Sequence, residues 1–111
     1  MPRGPRKTQW WKTIRKCDGR CWYCGIKPDD LVLLTVDHAT PQSRNGTNRE
    51  DNLLPACLYC NQLKDDLTVH EFRVWVKLRV IRNMLGLGYT VNLSSLKIVF
   101  YGEGNPSPLG Y

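Results

Sequence analysis

The chain lacks most of what would place a protein in a membrane or a repeat array. Its apolar run Leu31-Val32-Leu33-Leu34 is far shorter than the roughly 20 residues that a membrane-spanning helix needs. The start carries no secretory leader or export signal, which sets an expectation of a reducing, cytoplasmic compartment. Internal repeats and low-complexity blocks are missing too. The 111 residues allow one domain and leave no room for a second. Acid is scarce at the start: across residues 1–20 Asp18 stands alone against Arg3, Arg6, Lys7, Lys12, Arg15, Lys16 and Arg20. The remainder holds nine basic and nine acidic residues, so the whole formal charge of +6 lies in the N-terminal arm.

Cysteine is present in a telling arrangement. Cys17, Cys21, Cys24, Cys57 and Cys60 are odd in number, and four of them form two Cys-x-x-Cys pairs. That pattern favours thiolate ligation of zinc over a disulfide framework. Two such pairs can present four thiolates tetrahedrally at about 2.3 Å from one Zn²⁺, a closed structural site with no catalytic position. A core this small often needs a staple of that kind. The competing reading is a pair of redox dithiols or buried free thiols. Cys17 could replace Cys21, but Cys-x-x-x-Cys is the looser match, and Cys17 is read as a non-ligand.

The pattern predicts a small α+β domain: a basic arm over residues 1–20, a core over 21–66, and a C-terminal part, 67–111, of the same domain. Residues 1–5 read as flexible, and residues 8–16 as a short helix with Trp10 and Trp11 near its apolar face. Cys21 to Gly25 reads as a zinc knuckle, with Gly25 free to take positive φ. An apolar, partly β-branched strand over 31–36 delivers Asp37 and His38 at its end. A long polar loop, 39–51, leads to a short strand at 53–56 and a helix from about Leu58, which puts Asn61 and Lys64 on one side. Thr68-Val69-His70-Glu71 is a capping box opening a helix to about Leu85, with Phe72, Trp75, Val76, Ile81 and Leu85 inward and Arg73, Lys77 and Arg82 outward. Residues 89–93 and 97–101 alternate weakly and suggest a hairpin, and the Gly/Pro-rich end reads as loose.

Phosphodiester hydrolysis needs a base for the attacking water on one side of phosphorus and neutralisation of the departing 3′ oxygen on the other. His38 suits the base, because neutral imidazole, with its ordinary pKa of about 6.5, accepts a proton at working pH. Asp37 and Asn61 offer the hard oxygens that Mg²⁺ or Mn²⁺ prefers. His70 lies in the capping box and is assigned no chemistry. The basic arm, with Arg6, Lys7 and Lys12 around two tryptophans, suits salt-dependent contact with nucleic-acid phosphates; a merely solubilising tail is the plainer reading.

These residues resemble the HNH endonucleases, the ββα-metal nucleases. The likeness rests on Asp37-His38, Asn52 and Asn61 at intervals of fourteen and nine residues, on Asp51-Asn52-Leu53-Leu54-Pro55-Ala56-Cys57, on Cys60-Asn61-x-x-Lys64, and on the two Cys-x-x-Cys pairs. It covers residues 21 to about 66. The resemblance implies His38 as general base, Asp37 and Asn61 as ligands of one catalytic cation, and Asn52 as the residue that pins the loop. It further implies structural zinc on Cys21, Cys24, Cys57 and Cys60, with Lys64 and Arg44 on DNA phosphates. Asparagine at the third motif position, where the family name has histidine, favours Mg²⁺ or Mn²⁺ over softer metals. One site per chain implies nicking of DNA unless two chains meet as a homodimer. The rivals are a zinc-bearing nucleic-acid-binding module without turnover, and a nuclease acting on RNA or on modified DNA.

Overall fold

A computed structural model describes residues 6–104; the expectations for residues 1–5 and for the Gly/Pro-rich end fall outside them. The chain runs α1 (Lys7–Ile14), β1 (Leu34–His38), β2 (Leu53–Cys57), α2 (Leu58–Lys64), α3 (Val69–Gly86) and α4 (Tyr101–Gly104). This is a small α+β domain built on one two-stranded antiparallel sheet, with α1 and α2 packed against both strands. The register pairs Asp37 with Leu54 and His38 with Leu53. The acid and the imidazole therefore sit at the mouth of the hairpin, beside the loop that joins the strands.

The first strand starts later than its apolar content predicts. Asp30 Oδ1 accepts the Val32 N–H at 3.1 Å, and Leu31–Leu33 winds into a 3-10 turn. Local side-chain capping competes successfully with the sheet there. The loop between the strands is ordered by its own bonds. Asn52 Oδ1 accepts the Thr40 N–H at 2.8 Å, while its Nδ2 donates to the carbonyls of Thr40 (3.0 Å) and Thr47 (2.8 Å). Gly46 closes the turn where a Cβ would lie 1.7 Å from the Thr40 oxygen, so no larger residue fits.

From Lys7 onward the basic arm is folded. Thr13, Ile14 and Cys17 are buried, and Lys16 Nζ crosses to the carbonyls of Glu50 and Leu53, 2.7 Å from the latter. Arg20 donates to the Gly25 carbonyl at 3.0 Å and lies over the Tyr101 ring. These two cations are spent on structure, whereas Arg6, Lys7 and Lys12 remain exposed.

The core joins Ile14, Leu34 and Ala56 to an aromatic group of Tyr23, Phe72 and Phe100, edged by Trp22 and Trp75. Thr68 and Glu71 cap α3 reciprocally, at 3.1 and 2.9 Å. The inward stripe of α3 is shorter than expected: Phe72 is buried and Trp75 and Val76 are half-buried, but Leu85 is 58% exposed. Arg73, expected outside, is drawn in by the Ile98 carbonyl at 3.1 Å and by Glu103.

The C-terminal hairpin does not form. Asn92 Oδ1 takes both the Ser94 N–H (3.1 Å) and its hydroxyl (2.7 Å), and the Asn92 carbonyl takes the N–H groups of Ser95 and Leu96. The turn closes on itself, and the segments on either side of it form no strand pair. Residues beyond it return to the knuckle, where Tyr101 N–H meets the Tyr23 carbonyl at 3.1 Å and Gly102 N–H meets that of Trp22 at 2.7 Å.

Candidate active site and metal centre

The four paired cysteines come together from two sides. Cys21 and Cys24 flank the knuckle turn, in which the Gly25 N–H bonds the Cys21 carbonyl at 2.9 Å with Gly25 at φ +79°. Cys57 ends β2 and caps α2, its sulfur accepting the Cys60 N–H at 3.4 Å. All four sulfurs lie within 4.8 Å of one another, and Cys24 Sγ stands 3.9 Å from Cys57 Sγ. Tetrahedral ligands at about 2.3 Å imply sulfur separations of roughly 3.8 Å, so the cluster fits one zinc ion. The crowded thiols already favour one anion. A hydrogen bond from Cys60 pulls Cys21 down to about 5, and the same bond pushes Cys60 up. Cys17 is outside the cluster, and burial raises its thiol to about 11.

Asp37, His38 and Asn61 line one open cleft of about 310 Å³, together with Val36, Pro41, Gln42, Ser43, Asp65 and Asp66. Strand and helix periodicities explain part of the convergence. Thr35 and Asp37 are two apart on β1 and share a face. Asn61 and Lys64 are three apart on α2 and reach those two residues in turn. Asn61 Nδ2 donates to Thr35 Oγ1 at 2.8 Å, and Thr35 Oγ1 donates to the Ala56 carbonyl at 2.7 Å. With its NH₂ engaged there, Asn61 has its Oδ1 as the acceptor it can offer.

Asp37 is only 4% exposed. Burial raises its carboxyl above the ordinary range, opposed by hydrogen bonds from Tyr23 and Lys64. The Tyr23 hydroxyl donates to Oδ2, and Lys64 Nζ lies 3.2 Å from the carboxylate and 2.8 Å from the His38 carbonyl. His38, on the opposite face of the strand, places Nε2 2.8 Å from Asn48 Oδ1.

One sequence expectation needs correction. Lys64, expected on phosphates, is 0% exposed and serves as a strut beneath the site, because Asp37 and the His38 carbonyl take its ammonium before any ligand can. Arg44 is half-exposed but paired with Glu71. Lys12 pairs with Glu50 at 3.2 Å, both exposed. Three contributors were missed from sequence: Tyr23, which looked like knuckle packing, Thr35 and Asn48. The one available signal was spacing, since Thr35 lies two residues before Asp37 on the same strand face.

The HNH endonuclease family model matches residues 21–67, the span that contains every cleft residue and the four clustered cysteines. This segment is an HNH endonuclease domain. Among relatives, the chain is 30% identical over 76 residues to the CRISPR-associated endonuclease Cas9 of Corynebacterium diphtheriae, covering 66% of this chain and 7% of that protein. It is 31% identical over 71 residues to the SPbeta prophage-derived YoqL of Bacillus subtilis, named for the same HNH endonuclease family, covering 58% of this chain and 31% of that one. The chain thus spans less than a third of either relative. Within the HNH domain the motif residues Asp37, His38 and Asn61 are the ones that share the cleft. No helix among the described residues is long and apolar enough to cross a membrane.

Proposed function

We propose that this chain is a metal-dependent DNA endonuclease that cuts phosphodiesters to 5′-phosphate and 3′-hydroxyl ends, one strand at a time. The observation that carries the reading is the convergence of Asp37, His38 and Asn61 on one cleft wide enough for a phosphodiester. His38 removes a proton from water, and the resulting hydroxide attacks phosphorus as the bond to the 3′ oxygen breaks. Asp37 and Asn61 present carboxylate and carboxamide oxygens, a donor set that fits Mg²⁺ or Mn²⁺ and leaves positions for water and phosphate. A divalent cation held by these two residues would neutralise charge on the leaving oxygen as a Lewis acid. Each carboxylate oxygen of Asp37 has two lone-pair directions. Tyr23 donates to Oδ2 and Lys64 Nζ lies 3.2 Å from each oxygen, which holds Asp37 in place against the cleft.

Tyr23 and Lys64 fix Asp37 without entering the cleft, and Asn52 fixes the loop beside His38. Both are positioning roles, and pre-set geometry is what keeps the reorganisation cost of such a site low. In the same reading zinc on the four cysteines staples knuckle to hairpin and takes no part in the reaction. The exposed cations Arg6, Lys7 and Lys12 supply phosphate contacts from the α1 side. One cleft per chain gives nicks, and a double-strand cut requires two chains.

Supercoiled plasmid incubated with zinc-loaded protein and Mg²⁺ or Mn²⁺ should become nicked circles whose new 5′ ends carry phosphate. His38→Ala should lower the rate by roughly 10²- to 10⁴-fold, the usual worth of a general base. Equal nicking by both proteins removes His38 from its role. Retention of DNA with no nicking by either protein establishes a zinc-bearing binding module in place of the enzyme.

A further inference from the structure

We infer that Asn48 is a positioning residue for His38, holding its imidazole as the Nε2–H tautomer so that Nδ1 carries the lone pair that takes the proton from water. The inference rests on the reading of His38 as base and adds the residue that sets which nitrogen acts. Neutral imidazole has one N–H and one lone pair, and its partner at one nitrogen decides the state of the other. Asn48 Oδ1 is an acceptor, 2.8 Å from His38 Nε2. The proton therefore belongs on Nε2.

Asn48 is itself fixed from several directions. Gln42 Nε2 donates to the same Oδ1 at 3.3 Å, which sets the oxygen end of the carboxamide toward His38. Gln9 Nε2, from α1, donates to the Asn48 main-chain carbonyl at 2.8 Å. The preceding carbonyl, that of Thr47, takes Asn52 Nδ2, also at 2.8 Å. The loop-pinning asparagine and the residue that orients the base are thus neighbours on one short segment. Gln9 lies outside the family segment 21–67, so α1 contributes to the site by holding the acceptor in place.

A neutral acceptor also suits the surroundings. The cleft already carries the carboxylates of Asp37, Asp65 and Asp66. A carboxamide orients the ring without adding a fourth negative charge. When the base acts, a water O–H bond breaks, the proton goes to Nδ1, and Nε2–H stays bonded to Oδ1. The hydroxide forms its bond to phosphorus, and the departing 3′ oxygen takes a proton from solvent.

The test combines ring NMR with turnover. In zinc-loaded protein labelled with ¹⁵N-histidine, with His38→Ala to separate the signals from those of His70, long-range ¹H–¹⁵N correlations should show His38 protonated at Nε2. A slowly exchanging ring N–H is expected there, and it should be lost to solvent exchange in Asn48→Ala. In plasmid nicking, Asn48→Ala should lower kcat about 10- to 100-fold, the usual range for loss of an orienting partner, with KM for DNA within about twofold. Asn48→Asp, which keeps an acceptor at that position, should restore the ring N–H and bring kcat back to within a few-fold. A His38 proton found on Nδ1, or an unchanged kcat in Asn48→Ala, overturns the inference. If the wild type cuts nothing, the enzymatic reading fails by itself, and the ring correlation still decides whether Asn48 sets the tautomer.

Discussion

Lys64 has no solvent contact, and its ammonium is held between the Asp37 carboxylate and the His38 carbonyl. Removing one member of a buried pair leaves the other uncompensated, which typically costs about 3–5 kcal/mol. Lys64→Met should lower stability by that order in urea denaturation, and a loss under about 1 kcal/mol would show that the pair is not structurally important. Tyr23→Phe removes a neutral donor and should cost less, since a single hydrogen bond to a charged group contributes about 1.5–3 kcal/mol. The sequence made Asp37, His38 and Asn61 legible because their spacing is a local pattern. It could not show that Lys64 turns inward, because burial depends on the helix lying across the hairpin. Tyr23 and Asn48 were hidden for the same reason: each reaches its partner only after the knuckle or the loop has folded onto β1.

At the scale of elements, capping was easy to read and packing was not. The Thr68/Glu71 box forms as its four-residue pattern predicts, because it needs only local geometry. Its pH dependence follows from Glu71, whose carboxyl is lowered from the ordinary range by the Thr68 backbone N–H and by Arg44. A depressed folded-state value means that the stabilisation is present above the unfolded carboxyl's pKa and is lost as pH falls through the folded one. Between pH 6 and pH 3 the wild type should therefore lose more melting temperature than Glu71→Gln, and parallel curves would rule out this contribution. Along α3, Phe72→Ala should cost about 3–5 kcal/mol, as large-to-small core changes do. Leu78→Ala should stay within about 0.5 kcal/mol, because Leu78 is 60% exposed. The hydrophobic pattern alone suggested a longer buried stripe, yet the core ends near Val76 and nothing among the described residues covers Leu85. The C-terminal hairpin was misread because weak alternation says little when an asparagine can hold the backbone in a turn.

For the whole molecule, the core is small, and the four clustered cysteines are placed to hold a zinc ion that would share the work of folding. The buried core cluster draws on α1, the sheet, the knuckle, Cys60 of α2, Phe72 and Phe100, and the cysteine cluster ties the knuckle to the start of α2. One tightly held zinc per chain is expected. Chelation should unfold the domain cooperatively, since binding energy in such sites is folding energy. A metal-free sample with an unchanged melting temperature would show that the staple is dispensable. The fold class and the four ligands were readable from cysteine spacing, whereas the folding of α1 onto the hairpin was not, because a basic arm looks alike in sequence whether it is docked or free.

The claim that joins these scales is that hairpin and helix set a base and a cation pocket on either side of one phosphodiester. Single-turnover nicking measured against Mn²⁺ concentration separates the two functions. His38→Ala should lower the rate at saturating Mn²⁺ by at least about 10²-fold without moving the half-saturating concentration. Asn61→Ala should move half-saturation upward by roughly tenfold or more, the loss expected when a hard-oxygen ligand is removed. An Asn61→Ala protein with the wild-type Mn²⁺ dependence, or a His38→Ala protein that cuts at the wild-type rate, would contradict the account.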